Sequence, residues 1–349
     1  MNCTPNATFT SQLGLGLSPA AEDAAPQSGG VWMTSMLGAM LMLMFAVGGA
    51  GNTYTLIITR SAALCRTGSM YIHIVNLALA DLLYLSTIPF VVCTYFAHDW
   101  LFGDAGCRIL LSLDLLTMHA SVFTLVAMSM ERYRAVAKPF SAHRTSSRSR
   151  RVAVGLIWGI GFILTLPMMV MIRLREGKPT SAGLVKKICS PTWTPEAFKA
   201  YIMLLFFTSV LIPGLVIVGL YTGLAKRYWK VQARLGGSSR SARRRGLKQK
   251  VISMVLSIVL AYWACFLPFW GWQIGKLFSP DSLRYLSPAA HNYVNFFVTC
   301  LTYGNSCINP FLYTLLTRNY KDYLAQKGQS VGSSRADPAS AATLPMQDL

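Results

Sequence analysis

The sequence predicts an all-α membrane protein, a bundle of seven transmembrane helices followed by a short amphipathic helix. Of its 349 residues, 53% are hydrophobic and only 13% are charged, which is not the composition of a soluble domain. Seven apolar runs follow one another, each about long enough to cross a bilayer core ~30 Å thick. Of the 32 Lys and Arg residues, 23 lie in segments on one side of this arrangement, which the positive-inside rule identifies as the cytoplasmic side.

The predicted spans alternate across the membrane from an outer start, so the C-terminus is expected inside. They lie near residues 31–59, 70–96, 104–137, 151–172, 198–228, 248–276 and 288–316. Five spans contain a proline, which bends a membrane helix and frees a backbone carbonyl that neighbours must satisfy. These prolines are Pro89, Pro167, Pro213, Pro268 and Pro310.

The segments outside the bundle are predicted from composition. Residues 1–30 form a disordered extracellular tail without a signal peptide, and Asn2 and Asn6 begin glycosylation acceptor triplets. Residues 229–250 are predicted to be a flexible basic linker, and residues 317–326 an amphipathic helix on the membrane surface. Residues 327–349 are expected to be a disordered cytoplasmic tail, and no cysteine follows the seventh span to accept a palmitoyl group.

The third span carries an acid and a base on one stripe. Asp114 and Arg132 are eighteen residues apart, about five helical turns, so they share a side at a separation of roughly 27 Å. Ionisable groups within a membrane are costly and usually face the bundle interior or a wet cavity. This pair has two interpretations. In the first, Asp114 is an anion that binds a cation near one membrane face, and Arg132 is part of a switch near the other face. In the second, both residues only form polar contacts that hold the bundle together.

Further polar residues recur inside the spans, and because hydrocarbon penalises unsatisfied polar groups we expect them to converge. Such a group either holds a small cation such as Na⁺ or is a structural hydrogen-bond network. Its members are Asn52, Asn76, Asp81, Ser121, Asn305, Ser306 and Asn309.

Of the eight cysteines, four lie within apolar runs, Cys93, Cys265, Cys300 and Cys307, where a buried structural thiol is the usual case. Cys107 begins the third span and Cys189 lies in a polar loop, both on the outer, oxidising side. We therefore predict a disulfide bond between them.

The sequence contains no metalloprotease, nucleophile-elbow or phosphate-loop motif, so we predict that the protein is not an enzyme. His119 does not share the face of Asp114, and a lone histidine on an apolar helix is usually a packed residue. Phe266, Phe269 and Gln273 follow helical spacing, and this stripe is either core or the wall of a pocket.

Short motifs occur in a specific order along residues 31 to 325. They are Gly51-Asn52, Asn76 to Asp81, Glu131-Arg132-Tyr133, Trp158, Pro213 with Tyr221, Cys265 to Pro268 and Asn309 to Tyr313. This ordered set resembles the rhodopsin-like G-protein-coupled receptors. The resemblance extends to three longer stretches, residues 113–121, 263–270 and 302–320, which are similar to members that bind a cyclic peptide.

The resemblance implies a ligand and a pocket. The ligand would be an extracellular cyclic peptide of the urotensin II type, with a Phe-Trp-Lys-Tyr core whose lysine pairs with Asp114. Tyr303 would orient Asp114, while Met118, Phe269 and Gln273 would line the pocket. Cys107 and Cys189 match the family disulfide that holds the outer loop over the entrance.

The resemblance also implies how the inner half works. A sodium pocket, with Asp81 as the candidate metal ligand, would comprise Asp81, Ser121, Asn305 and Asn309. A G-protein switch would comprise Glu131, Arg132, Tyr133, Tyr221, Pro310 and Tyr313. The implied partners are a heterotrimeric G protein of the Gq/11 type, arrestin and receptor kinases. The protein would lie in the plasma membrane and would require no other cofactor.

Three departures and three alternatives accompany this interpretation, and the first departure is the absence of a cysteine after the seventh span. Phe266 stands where most relatives carry Trp, and Glu131 replaces the commoner Asp. The alternatives are a receptor for another basic peptide of the somatostatin or opioid kind, an ion or proton transporter using Asp81, Asp114 and Arg132, and, weakest, a membrane hydrolase. The net charge of +19 is placed to meet membrane lipid, not nucleic acid.

Overall fold

The structure is a computed structural model. It describes residues 28–60, 71–97, 99–137, 147–179, 185–234, 239–279, 283, 285–287, 290–291 and 293–311.

The described residues form helices that cross the bundle seven times. The helices are α1 (Ser28–Arg60), α2 (Tyr71–Leu85), α3 (Ile88–Ala97), α4 (Gly103–Ala137), α5 (Ser147–Met171), α6 (Pro195–Phe206), α7 (Ile212–Arg234), α8 (Ser239–Phe278) and α9 (residues 293–311). A turn joins α2 to α3 in the second crossing, and a π-helical segment, Phe207–Leu211, joins α6 to α7 in the fifth. Among the described residues, the first five crossings are long and apolar enough to span a membrane, and α8 and α9 occupy the sixth and seventh predicted spans.

Two of the helix interruptions lie beside prolines, as the sequence predicts. Pro89 is the second residue of α3, just after the break. Pro213 follows the π-helical segment, and its missing N–H leaves the Ser209 carbonyl without the usual helical donor. The Tyr262 hydroxyl of α8 donates to that carbonyl at 3.2 Å, so a neighbouring helix satisfies it.

Apolar side chains on the outside of the bundle distinguish this protein from a soluble helical domain. Leu43 of α1 and Ile163 of α5 are 63% and 67% exposed, a distribution that suits contact with lipid. Inside, one large cluster joins α4, α6 and α8, with Phe198, Tyr262 and Trp270 almost completely buried. The bundle therefore buries its largest aromatic rings between the helices that surround the candidate site.

A β-hairpin between α5 and α6 was not predicted from the sequence. Its strands β1 (Ile172–Pro179) and β2 (Val185–Pro191) are antiparallel, with Leu174 opposite Cys189. The predicted disulfide joins Cys107 at the start of α4 to Cys189 in β2, with 5.7 Å between their Cα atoms. We call the end of the bundle that carries these strands the hairpin end.

The prediction of a flexible linker at residues 229–250 is wrong for most of its length. Helix α7 continues to Arg234 and α8 already begins at Ser239. Arg, Lys, Gln and Ala have high helix propensity, so the two helices continue beyond the apolar spans that the sequence defines. The predicted tails, the glycosylation residues Asn2 and Asn6, and the amphipathic helix at 317–326 lie outside the described residues; α1 begins at Ser28, three residues before its predicted start.

Candidate ligand pocket and polar core

A cavity lies between α4, α6 and α8. Asp114 is the only ionisable side chain among the residues that line it, and Gln273 is the only amide. The other walls are apolar or aromatic. The lining residues are Asp114, Leu115, Met118, Phe198, Ile202, Leu205, Phe269, Trp270, Gln273 and Leu277.

A pair of tyrosines lies beside the Asp114 carboxylate. The Tyr84 side chain interacts with Asp114, and its hydroxyl shares a 2.7 Å hydrogen bond with the Thr302 hydroxyl. The Tyr303 hydroxyl pairs with Thr87 at 2.9 Å. Tyr84 therefore connects α2 to α9 and lies beside the candidate ligand anchor on α4.

Gln273 presents an unsatisfied amide to the cavity. Its side chain is 6% exposed, and neither its oxygen nor its nitrogen has a hydrogen-bond partner among the described residues. A buried polar group without a partner is costly, so this amide is suited to a ligand that both donates and accepts hydrogen bonds. A peptide backbone has that chemistry.

The structure brings four of the five predicted ligand residues together. Asp114, Met118, Phe269 and Gln273 line the cavity, whereas Tyr303 lies in the neighbouring cluster between α2 and α9. Sequence reasoning missed Tyr84 and the α6 wall. The spacing of Phe198, Ile202 and Leu205, at i, i+4 and i+7, was a usable signal for that wall.

Phe266 does not line the cavity. Its ring stacks on Tyr262 with centroids 4.4 Å apart, and its side chain is buried in the main cluster. Of the two interpretations of the aromatic stripe, core therefore describes Phe266, and pocket wall describes Phe269 and Gln273.

The polar residues of the spans converge around Asp81. Ser306 donates to Asp81 Oδ1 and Asn309 donates to Oδ2, each at 2.8 Å. The Asn52 amide donates to the Ser306 carbonyl at 3.0 Å, which links α1 to α9. Ser121 and Asn305, the other predicted members of a sodium pocket, are both buried in the bundle.

A second polar junction joins three crossings through Asn76. The Asn76 amide donates to Thr124 Oγ1, and Trp158 Nε1 donates to Asn76 Oδ1, both at 2.6 Å. One side chain of α2 thus contacts both α4 and α5. The motif residues Asn76 and Trp158, which are far apart in the sequence, are therefore in direct contact in the fold.

At the end of the bundle opposite the hairpin, Glu131 forms contacts between helices. Arg150 Nε donates to Glu131 Oε1 at 2.8 Å, and His73 Nε2 lies 3.4 Å from the same oxygen. The Tyr133 ring lies 5.6 Å from the Arg227 guanidinium on α7.

Two other predicted switch residues lie within the described bundle. Tyr221 packs half-buried against the main cluster, and buried Pro310 lies against Gly51 of α1. The side chain of Arg132 and the whole of Tyr313 lie outside the described residues.

Residues 51–313 match the family model of the 7 transmembrane receptors of the rhodopsin family. The chain belongs to this family. It is 46% identical to the urotensin-2 receptor of Macaca mulatta over 331 residues, 95% of this chain and 79% of that receptor. The urotensin-2 receptor of Homo sapiens is also 46% identical, over 94% of this chain and 79% of its own length. The somatostatin receptor type 5 of Bos taurus is 31% identical over 85% of this chain and 78% of its own length.

Membership of the rhodopsin family confirms the resemblance found in the sequence motifs and the seven-helix fold. It makes the chain a receptor of the plasma membrane that crosses the bilayer several times. It also favours the receptor interpretation over the transporter and the hydrolase, and it supports the prediction that the chain is not an enzyme.

Proposed function

We propose that this chain is a cell-surface receptor for a cyclic peptide hormone of the urotensin II type. The observation that carries the proposal is the single carboxylate, Asp114, in an otherwise neutral and largely apolar cavity. The identity of 46% to receptors named for urotensin-2 supports the ligand class. In this proposal the N-terminus and the hairpin end face the outside of the cell and the C-terminus faces the cytoplasm.

The chemistry of the cavity suits a Phe-Trp-Lys-Tyr core. The ligand lysine would pair with Asp114, and the aromatic side chains would pack against Met118, Phe269 and Trp270. Taking both charges out of water is costly, so the pair needs further hydrogen bonds to be favourable. Tyr84 beside Asp114 can supply one of them. Removing one partner of such a pair commonly costs about 2–5 kcal/mol.

Peptide binding would shift an equilibrium between resting and active arrangements that exists before the ligand arrives. Helix α4 carries Asp114 near the hairpin end and Glu131 near the other end. The proline sites of α7 and α8, Pro213 and Pro268, are places where those helices can bend outward. The opened cleft would admit a heterotrimeric G protein, in our proposal Gq/11, with release of calcium through phospholipase C, and later receptor kinases and arrestin.

The test is a cycle of two changes, one in the receptor and one in the peptide. Asp114→Ala is expected to abolish the calcium response to a Lys-containing cyclic peptide while surface expression persists. Replacing the peptide lysine by norleucine should weaken the response of the normal receptor to a similar degree. The same replacement should reduce the response of Asp114→Ala little further. Unchanged potency at Asp114→Ala, or fully additive losses, would refute the charge pair.

The coupling and the ligand class are tested separately. Inositol phosphate production should disappear in cells that lack Gq/11 and return when it is restored. The 31% identity to a somatostatin receptor keeps another basic peptide as the second candidate. A panel of urotensin, somatostatin and opioid peptides, read out with both calcium and cyclic AMP, separates the two, because only the correct ligand class should act at low concentration.

A further inference from the structure

His119 connects two crossings of the bundle from a fully buried position on α4. Its Nδ1 lies 2.8 Å from the Leu115 carbonyl oxygen, and its Nε2 lies 3.1 Å from Thr208 Oγ1 in the π-helical segment Phe207–Leu211. A carbonyl oxygen can only accept a hydrogen bond, so this contact assigns the ring hydrogen to Nδ1. In the neutral ring Nε2 is then an acceptor, and the Thr208 hydroxyl donates to it.

The Thr208 hydroxyl has more acceptors around it than it can satisfy. It lies 2.9 Å from the Leu204 carbonyl oxygen and 3.2 Å from the Leu205 carbonyl oxygen, in addition to its contact with His119. A hydroxyl carries one hydrogen, and threonine in a helix commonly donates it to the carbonyl three or four residues earlier. The bond between the crossings therefore competes with bonds to α6, and rotation of a single hydroxyl exchanges them.

These competing bonds lie directly behind two walls of the cavity. Leu115 on α4 and Leu205 on α6, whose carbonyl oxygens take part in them, both line the cavity. Met118, which precedes His119 in the chain, is the lining residue of α4 that is furthest from the hairpin end. The hydrogen bond from Thr208 to His119 therefore ties the α6 wall to the α4 wall at the inner end of the cavity.

His119 is the fixed side of this tie. Helix α5 approaches α4 so closely that a Cβ on Gly161 would lie 3.2 Å from Leu116 Cδ1 and 3.6 Å from His119 Cβ. The imidazole also packs beside the Phe123 ring, with centroids 5.7 Å apart. Thr208 is only partly buried and lies in a π-helical turn, a rare geometry that is frequent at functional sites. The α6 wall can therefore shift while the imidazole keeps its place.

We propose that His119 is a positioning residue that determines which ligand side chains fit the cavity. Through Thr208 it sets the separation of the α4 and α6 walls, so the inner end of the cavity accepts aromatic rings up to a limited size. When the Thr208 hydroxyl turns to Leu204, the tie is released and the walls can separate. The inference rests on the proposed function and extends it, because it names a residue that selects among peptides without lining the cavity.

The experiment measures how receptor variants rank peptides of different size. The parent ligand is a cyclic peptide with the Phe-Trp-Lys-Tyr core, and in three further peptides one aromatic residue in turn is replaced by the larger biphenylalanine. Competition binding to membranes from cells that express the full receptor gives each affinity relative to the parent. Receptor number at the cell surface is measured in parallel, which separates a loss of folding from a change in selection.

The receptor variants form matched pairs. Thr208→Val removes the hydroxyl and keeps the branched shape, with Thr208→Ala as the second choice if valine lowers the number of receptors at the surface. Thr208→Ser keeps the hydroxyl and is the conservative rescue, while His119→Phe keeps a buried ring and removes both nitrogens. Thr222→Val is the control on α7, because the exposed Thr222 hydroxyl donates to the Val218 carbonyl of its own helix at 2.8 Å.

Thr208→Val and His119→Phe should each raise the relative affinity of at least one enlarged peptide by about three- to tenfold, since a single neutral hydrogen bond contributes modestly. The double variant should gain no more than either single variant, because both remove the same bond. Thr208→Ser and Thr222→Val should stay within about twofold of the normal receptor, because the first keeps the tie and the second loses only a bond inside a helix.

Equal changes in affinity for all four peptides would overturn the proposal, because the bond would then only stabilise the bundle. So would a shift in Thr208→Ser as large as that in Thr208→Val, or fully additive shifts in the double variant. Failure of the proposed function looks different: the parent peptide would then bind the normal receptor without depending on Asp114.

Discussion

The rings of Tyr84 and Tyr303 stack with centroids 4.4 Å apart and planes inclined by 17°. Their hydroxyls point to different partners: Tyr84 reaches Thr302 and Asp114, while Tyr303 pairs with Thr87. Stacking of this kind stabilises by about 0.5–1.5 kcal/mol beyond the buried area. Tyr303 would then orient Asp114 through Tyr84, which is a more indirect role than the sequence alone suggests.

Tyr84→Phe tests this relay. The variant keeps the stacked ring and removes the hydroxyl beside the carboxylate, so we expect peptide affinity to fall by about ten- to a hundredfold, the effect of losing a charged hydrogen bond of about 1.5–3 kcal/mol. Radioligand binding gives the affinity. Tyr303→Phe is the matched control: it should cost less, and a larger loss there than at Tyr84 would assign the direct contact to Tyr303.

Cys189→Ser tests the disulfide. The bridge holds β2 to the start of α4, so its loss should release the hairpin from the pocket and impair peptide binding or folding. Surface expression and binding are measured together, with Cys107→Ser and the double variant as comparisons. Because both single variants break the same bond, the double should be no worse than either. Normal peptide binding by Cys189→Ser would contradict this role.

The sequence predicted the crossings well because each is long and apolar. Helical spacing also indicated that Phe269 and Gln273 share a face, and both line the cavity. Prediction failed where tertiary contacts decide. The ends of α7 and α8 within residues 229–250 depend on the helix propensity of residues outside the apolar spans. The contact of Tyr84 with Asp114 depends on how α2 and α4 pack. The β-hairpin is short and charged, so its strand signal is too weak to be recognised beside strong helical patterns.

Two adjacent glycines of α1 give a matched test of helix packing. A Cβ on Gly48 would lie 2.7 Å from Leu85 Cδ1 and 2.9 Å from Cys307 Sγ, whereas a Cβ on Gly49 meets nothing within 4 Å. Gly48→Ala should therefore destabilise the bundle by about 1–3 kcal/mol through overpacking. Gly49→Ala should be neutral or slightly stabilising because alanine favours helix. Thermal unfolding in detergent measures both, and equal melting temperatures would show that α1 packs differently.

Asp81 offers a test of the proposed sodium pocket. Both of its oxygens accept hydrogen bonds, from Ser306 and Asn309, in a buried junction of α2 and α9. A sodium ion drawn to this carboxylate would favour the arrangement that binds it, so agonist affinity should fall when sodium replaces a large organic cation at constant ionic strength. Asp81→Asn keeps the size of the side chain and removes its charge, and should abolish this dependence. If the normal receptor is insensitive to sodium, or if the variant responds as strongly, Asp81 serves only the hydrogen-bond network that joins the helices.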